Sequence, residues 1–349
     1  MNILITGIHG FVGSNLVAAL KNQHIIYGLD IVSPQKEGVE KTFDWSELDN
    51  LPTIDAIIHL AGKAHDTKSQ TEAQVYFDIN TGLTKKIYDW FLSNNTQKFI
   101  FFSSVKAAAD RVEGDILTED VVPSPRGAYG ESKIAAENYI LNQLTVDSEQ
   151  LTVPQKRDVD YSIDSEQLKD DREKLENELS TINYQLATKK TYILRPCMIH
   201  GPGNKGNLNL LYKLVKMGIP YPLGAFENRR SFTSIDNLSF VVSQLIEKDV
   251  ETGIYNVGDD ENLSTNELIS LMSTVMNKPN RIWKWNKSII QSLANVGTLL
   301  HLPLNTDRLQ KLTENYVVSN SKLKHSLGIK SMPFSSKEGF IKTINSFGK

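Results

Sequence analysis

Residues 2–13 read Asn2-Ile3-Leu4-Ile5-Thr6-Gly7-Ile8-His9-Gly10-Phe11-Val12-Gly13, an apolar run that breaks into a glycine at every third position. The apolar part predicts a strand over 2–6, and the pattern after the glycines predicts a helix over 11–21. Strand, glycine loop and helix in that order open a dinucleotide-binding unit. In such a unit the first glycine (here Gly7) permits the tight turn. The second (Gly10) lets backbone approach a pyrophosphate, and the third (Gly13) lets the helix pack closely on the sheet. The helix N-terminus adds N–H donors and a positive dipole. The first gap is one residue longer than in G-x-G-x-x-G.

Further apolar runs predict strands over 24–30, 56–61, 98–103 and 191–195, with helical patterns between the early ones. The runs are apolar throughout rather than alternating, as strands covered on both faces are. The fold class expected is therefore α/β, a Rossmann-type doubly wound parallel sheet. Asp30 closes the second strand, where an acid can hold a ribose 2′-hydroxyl. Its carboxylate would repel a 2′-phosphate, and Ile31-Val32-Ser33-Pro34 offers no Arg or Lys, so NAD is expected rather than NADP. Asp44 is either a contact for the adenine amine or a solvated loop acid.

A second motif follows, Tyr129-Gly130-Glu131-Ser132-Lys133, with Ser103-Ser104 ending a strand between the two. Tyr129 and Lys133 stand at i and i+4, on one helix face. A free tyrosine has a pKa near 10, and a neighbouring ammonium favours the phenolate. Lys133 is expected to assist Tyr129 in this way and to bind the nicotinamide ribose. Ser104, with Ser103 as the alternative, hydrogen-bonds the same substrate oxygen. The trio would move a carbinol proton while a hydride is exchanged with the cofactor.

The 349 residues are 40% apolar with a net charge of −3, which argues against a general nucleic-acid binder. Cys197 is the only cysteine, so no internal disulfide forms, and a cytoplasmic setting is expected. Cys197 itself reads as a small buried residue. No window is long and apolar enough for a transmembrane span, the N-terminus reads as a strand rather than a signal peptide, and no metal is expected. Trp283, Lys284, Trp285 and Lys287 precede an amphipathic stretch over 289–296, which either lies on a bilayer surface or packs on its own domain. Residues 144–188 are mostly polar and charged, with Leu168, Leu175, Leu179, Ile182 and Leu186 in a heptad-like seam. They read as an inserted helix or hairpin, a dimerisation or partner arm on one reading and a helix lying on its parent domain on the other.

With these motifs the chain resembles the extended short-chain dehydrogenase/reductases, and more narrowly the NAD-dependent epimerase/dehydratase family that acts on nucleotide sugars. The resemblance rests on residues 6–13, His59-Leu60-Ala61-Gly62, Phe102-Ser103-Ser104, Tyr129 to Lys133, Arg195-Pro196 and Gly201-Pro202-Gly203. It is greatest to UDP-glucose 4-epimerase-like enzymes of polysaccharide pathways, through Ser103 to Lys106, residues 201–207, and Pro222-Leu223-Gly224 before Asn228-Arg229-Arg230-Ser231-Phe232. It implies that Phe11, Val12, Leu60, Ala61 and Gly62 line the cofactor. It implies further that Asn207 and Arg230 hold the sugar diphosphate and that Pro222–Gly224 lies by the nucleotide base. On the residues alone, Arg229-Arg230 either is a solvated loop pair or, because the loop leads into the apolar run 232–238, points at least one arginine into the cleft. Lys63 and His65, after the third strand, either face substrate or are surface groups, and the role of His200 is open.

The resemblance divides the chain into a NAD-binding domain over 1–195, with a return segment about 232–258, and a smaller, mainly helical nucleotide-sugar lobe over 196–231 and 259–349. It implies a homodimer paired through helices flanking Tyr129. Where 4,6-dehydratases carry an acidic pair, Val105-Lys106 stands here, which removes the acid needed to expel water. The expected reaction is C4 epimerisation of a UDP-hexose or UDP-N-acetylhexosamine through a transient 4-keto sugar. The alternative is NAD(P)H-dependent 4-keto reduction of a UDP-6-deoxy-N-acetylhexosamine. A cofactor-sensing protein that had lost catalysis should have lost Tyr129 or Lys133.

Overall fold

The computed structural model describes residues 1–32, 34–63, 72–150, 188–204, 206, 208–300 and 305–347. Six strands appear in chain order as β1 (Asn2–Thr6), β2 (Ile25–Leu29), β3 (Lys41–Phe43), β4 (Ala56–His59), β5 (Lys98–Phe102) and β6 (Lys190–Pro196). A short pair follows, β7 (Met198–His200) with β8 (Phe232–Ser234), and β9 (Gly253–Val257) returns to the main sheet. That sheet has seven strands in the order β3-β2-β1-β4-β5-β6-β9, every neighbouring pair parallel. The five expected strands are present, with ends shifted by a residue or two. β3 was not anticipated: Lys41-Thr42-Phe43 is too short for a pattern and exists by pairing with Tyr27 to Leu29.

Each core strand alternates its side chains between two covered faces. Ile3, Ile5, Ile100, Leu194 and Val257 join Leu16 and Leu20 of α1 (Phe11–Leu20) and several residues of the helix Ile235–Glu247. Leu4, Ile57, Phe99, Phe101 and Ile193 face the other way, onto Ile87, Tyr88, Phe91, Ala136 and Ile140. That second layer is built from α2 (Ala73–Tyr76), which runs through a π-helical turn (Phe77–Gly82) into α3 (Leu83–Ser93), and from α5 (Ala128–Gln150) beyond the single turn α4 (Val105–Ala108). Burial on both faces explains the unbroken apolar runs.

The remaining helices are α6 (Leu208–Lys216), α7 (Ile235–Glu247), α8 (Thr265–Val275), α9 (Lys287–Leu299), α10 (Thr306–Thr313), α11 (Ser321–Leu327) and α12 (Ser336–Ser346). Tyr212, Leu223, Phe232, Leu268, Met272, Ile290, Phe340 and Ile344 form a separate apolar core among them. Capping boxes start two of these helices, Ser264 with Glu267 and Ser335 with Glu338. The heptad-like seam over 168–186, His65 and Asn207 lie outside the described residues.

Between sheet and α5 lies a fully buried ion pair. Arg195 of β6 donates from Nε to both carboxylate oxygens of Glu137, at 3.0 and 3.1 Å, and from Nη2 to Oε2 at 2.5 Å. The Ser103 hydroxyl donates to Glu137 Oε1. Removing one partner of such a pair leaves a buried charge uncompensated. Glu137→Ala is therefore expected to cost about 3–5 kcal/mol, read as a lower midpoint in urea unfolding.

Candidate active site

The order of the sheet reverses at β1: β2 and β3 lie to one side, and β4 to β9 to the other. Ligands in open α/β sheets bind outside the carboxyl ends of the strands at such a point. Gly7 sits there with φ +67°. A Cβ on it would fall 2.9 Å from the Ala61 backbone nitrogen, so only glycine lets β1 and the β4 turn approach. A Cβ on Gly13 would fall 2.7 Å from the carbonyl oxygens of both Gly7 and Ile8, against backbone that has nowhere to move. Gly10 precedes α1 with no side chain capping the helix, so the first turn is presented bare, as anion recognition requires. The Phe11 ring lies under the Gly201–Gly203 turn, and Asn15 Nδ2 donates to the carbonyls of Phe11 at 2.8 Å and Pro202 at 3.1 Å.

Asp30 follows β2 directly. Its Oδ2 accepts from the His9 backbone N–H at 3.1 Å and its Oδ1 from Ile31 N–H at 2.8 Å, which fixes the carboxylate beside the glycine loop. Ile31 and Val32 beyond it are exposed. Asp44 follows β3 and forms a capping box with Glu47: its Oδ1 accepts from Ser46 N–H and Oγ–H at 2.9 and 2.7 Å. These bonds hold its carboxyl below the usual range. One oxygen of Asp44 is thus committed to the cap, a role the sequence reading did not assign.

The two serines after β5 take different partners. Ser103 is spent on Glu137. Ser104 caps α4, its Oγ accepting from Lys106 N–H at 3.2 Å, and hydrogen-bonds the Tyr129 side chain. Lys133 lies one turn further along α5. Its buried Nζ donates to the Phe102 carbonyl at 2.9 Å, and it lies 3.3 Å from the position a Cβ would take on Gly62. The tyrosine–lysine pair and the glycine loop are thereby joined through the Leu60–Gly62 turn.

Burial pulls the Lys133 ammonium down to about 8, with Glu137 acting in the opposite sense. The Tyr129 hydroxyl moves up, not down. Burial is the largest cause, the Ser104 hydrogen bond opposes it, and Tyr76, whose ring meets Tyr129 edge-on at 6.3 Å, adds to the rise. The lowering expected from Lys133 is not among the causes: Ser104 alone acts downward on Tyr129, and desolvation outweighs it.

Behind this site runs a buried hydrogen-bond chain. Thr6 Oγ1 accepts from Leu60 N–H at 3.1 Å and Ala61 N–H at 2.9 Å, so its own proton goes to His59 Nδ1 at 2.7 Å. Thr84 Oγ1 donates to the Asn80 carbonyl at 2.6 Å and so receives His59 Nε2–H at 3.0 Å. The Asn80 side chain, in the π-helical turn, accepts from Lys63 N–H at 2.8 Å and donates to Ser132 Oγ at 2.9 Å. Ser132 Oγ donates in turn to the Tyr129 carbonyl at 2.9 Å. Asn80, Thr84 and Ser132 had no role in the sequence reading; a polar residue inside an otherwise ordinary helix gives no local signal, although π-turns recur at functional sites.

Just ahead of β8, Arg229 is exposed and Arg230 half-buried. Arg230 exchanges backbone hydrogen bonds with Leu263, and its Nη2 donates to the Lys311 carbonyl. Its buried Nε has no hydrogen-bond partner among the described residues, a donor left for an anion. His200 stacks on Phe340 at 3.8 Å with Nδ1 2.9 Å from Thr343 Oγ1, so it ties β7 to α12. Cys197 is buried, with its thiol pushed up, and is no nucleophile.

Residues 3–144 match the model of the NAD dependent epimerase/dehydratase family. Among curated proteins, a UDP-glucose 4-epimerase of Vibrio cholerae is 27% identical over 369 residues, spanning 99% of this chain and 95% of that protein. An N-acetyl-alpha-D-glucosaminyl-diphospho-ditrans,octacis-undecaprenol 4-epimerase of Escherichia coli O157:H7 is 26% identical over 79% of this chain and 73% of its own. Among solved structures, MoeE5 in complex with UDP-glucose and NAD superposes with a TM-score of 0.69 at 18% identity, over 100% of this chain and 99% of that one. A UDP-glucose 4-epimerase from Thermotoga maritima gives 0.67 at 19%, with the same coverage. At these identities the structural likeness is one of fold.

Burial lowers the His59 pKa from 6.5 to about 3, so the folded chain refuses a proton that the unfolded chain binds below about pH 6.5. The His59 contribution is fully present above that pH. It is expected to be lost at up to about 1.4 kcal/mol per pH unit as pH falls toward about 3. Urea unfolding at several pH values should show a shallower acid dependence for His59→Gln than for the wild type.

Proposed function

We propose, for a chain whose residues 3–144 match the NAD dependent epimerase/dehydratase family, the C4 epimerisation of a UDP-hexose or UDP-N-acetylhexosamine through a transient 4-keto sugar. The observation that carries this reading is the hydrogen bond between Ser104 and Tyr129, one turn from Lys133 and separated from the glycine loop only by the Leu60–Gly62 turn.

The residues fit the dinucleotide on the chain's own geometry: Gly7 and Gly13 have no room for a Cβ, and α1 begins uncapped. Gly7, Gly10, Phe11, Val12 and Gly13 would hold the pyrophosphate, Asp30 the adenosine ribose, Asp44 the adenine side, and Leu60, Ala61, Gly62, Tyr129 and Lys133 the nicotinamide half. Bound there, NAD supplies the acceptor and donor for the C4 hydride. Ser104 holds the sugar O4, and Tyr129 takes the O4 proton and later returns it. The buried Lys133 ammonium supplies positive charge to the phenolate and a donor to the ribose. Arg230, with Asn207, would hold the diphosphate, leaving the hexose to present either face of C4. A lysine at 106, its Nζ bound to the Asp110 carbonyl and carboxylate, offers no acid to expel water, which favours epimerisation over dehydration.

The relatives' glycan-related names support a role in polysaccharide synthesis, and family likeness supports a homodimer and a cytoplasmic setting. The assay is incubation with UDP-N-acetylglucosamine and UDP-glucose, without added cofactor or with catalytic NAD, and chromatography for the C4 epimers. Epimers are expected. Stoichiometric NAD(P)H consumption on a UDP-4-keto-6-deoxy sugar, with no epimer, would assign the reductase instead.

Tyr129→Phe should lower kcat by about 10²–10⁴-fold with the fold intact; unchanged activity sinks the mechanism. Asp30→Gly should erode the preference for NAD over NADP, measured by the binding of each cofactor.

A further inference from the structure

Helix α9 packs into the smaller lobe through Ile290, Ala294 and Gly297. Its neighbouring face is also apolar, and nothing in the described chain covers it. Ile289, Leu293, Val296 and Leu300 follow one another at four, three and four residues, one line along the helix. They are 56%, 48%, 50% and 60% exposed. Just before the helix, Trp283 and Trp285 stack on each other at 6.3 Å with their rings about half exposed. Tryptophan spends its exposure sparingly in water, and pairs of this kind are favoured where one end of the ring is apolar and the other wet.

The stretch of chain that carries this face, between Glu267 and Asp307, is one-sided in charge. Residues 268–306 carry Lys278, Arg281, Lys284 and Lys287 and no Asp or Glu, in a chain whose net charge is −3. All four cations are exposed. None of the glycine loop, the Ser104–Tyr129–Lys133 group or Arg230 uses them.

We infer that this face of α9, with Trp283 and Trp285, docks the protein on an anionic phospholipid surface. An interfacial helix of this type lays apolar side chains into the headgroup boundary while basic residues meet anionic lipid. No described helix is long and apolar enough to cross a membrane, so the contact is peripheral. A second copy of the chain is the weaker occupant, because two-fold pairing through this face sets the same four cations against each other. The inference goes beyond the epimerase reading and stands or falls separately from it.

The test is co-sedimentation of the full chain with vesicles of phosphatidylcholine alone and of phosphatidylcholine with phosphatidylglycerol. Binding is expected only to the anionic vesicles, with a blue shift in tryptophan emission, and it should weaken as salt rises from about 0.05 to about 0.5 M. Ile289→Asp with Leu293→Asp should cut partitioning at least about tenfold, and Lys284→Gln about fivefold. Circular dichroism and epimerase activity on soluble substrate should be unchanged in each. Absence of binding to anionic vesicles at low salt overturns the proposal, as does binding that these variants leave untouched. A wild-type assembly that Ile289→Asp with Leu293→Asp dissociates, without any vesicle binding, makes the face a self-interface and overturns it equally.

Discussion

Between the end of β1 and the turn after β4 there is room for backbone and nothing else. A Cβ on Gly7 would sit 2.9 Å from the Ala61 nitrogen and 3.0 Å from its Cα. That close approach lets one hydroxyl, Thr6 Oγ1, gather both the Leu60 and the Ala61 N–H. It sets Gly62 in turn against two side-chain ends, Asn80 Oδ1 and Lys133 Nζ, which would stand 2.7 and 3.3 Å from a Cβ placed there. The loop that would receive a pyrophosphate and Lys133 of α5 therefore lie on two sides of one three-residue turn. On the Gly7 side the spacing is set by main-chain packing rather than by flexible side chains, which is how a site is held to a fraction of an ångström.

The other fixed point is electrostatic. Glu137 accepts from Arg195 and from Ser103, and its charge also favours the ammonium form of Lys133 one turn away. The result is a division of labour between adjacent serines. Ser103 belongs to the buried pair that joins α5 to β6, and Ser104 is left to cap α4 and reach Tyr129.

The sheet was legible because strands covered on both faces must be apolar at every position, and the glycine loop because its spacing reflects steric limits that only glycine meets. The choice between Ser103 and Ser104 was not legible: it depends on where Glu137 and Tyr129 stand, far along the chain. Asp44 carried an unread signal, since Asp44 followed by Glu47 three residues later is the spacing of a capping box. Asn80 had none, because nothing local announces a π-turn. On α9 periodicity alone was ambiguous. Ile290, Ala294 and Gly297 and the line Ile289, Leu293 and Val296 both satisfy a helical repeat, and only packing tells the covered line from the bare one.

The buried chain through His59 has a direction. Its protons run from the Leu60 and Ala61 amides through Thr6, His59 and Thr84 to the Asn80 carbonyl. The amides at one end cannot release a proton at ordinary pH, and the carbonyl at the other end cannot take one. A histidine placed next to a redox site invites the role of relay, but a wire whose terminals neither give nor receive carries no current. His59 is a strut: its tautomer is set by its neighbours and burial keeps its ring neutral, so this chain passes no proton between the site and the protein behind it.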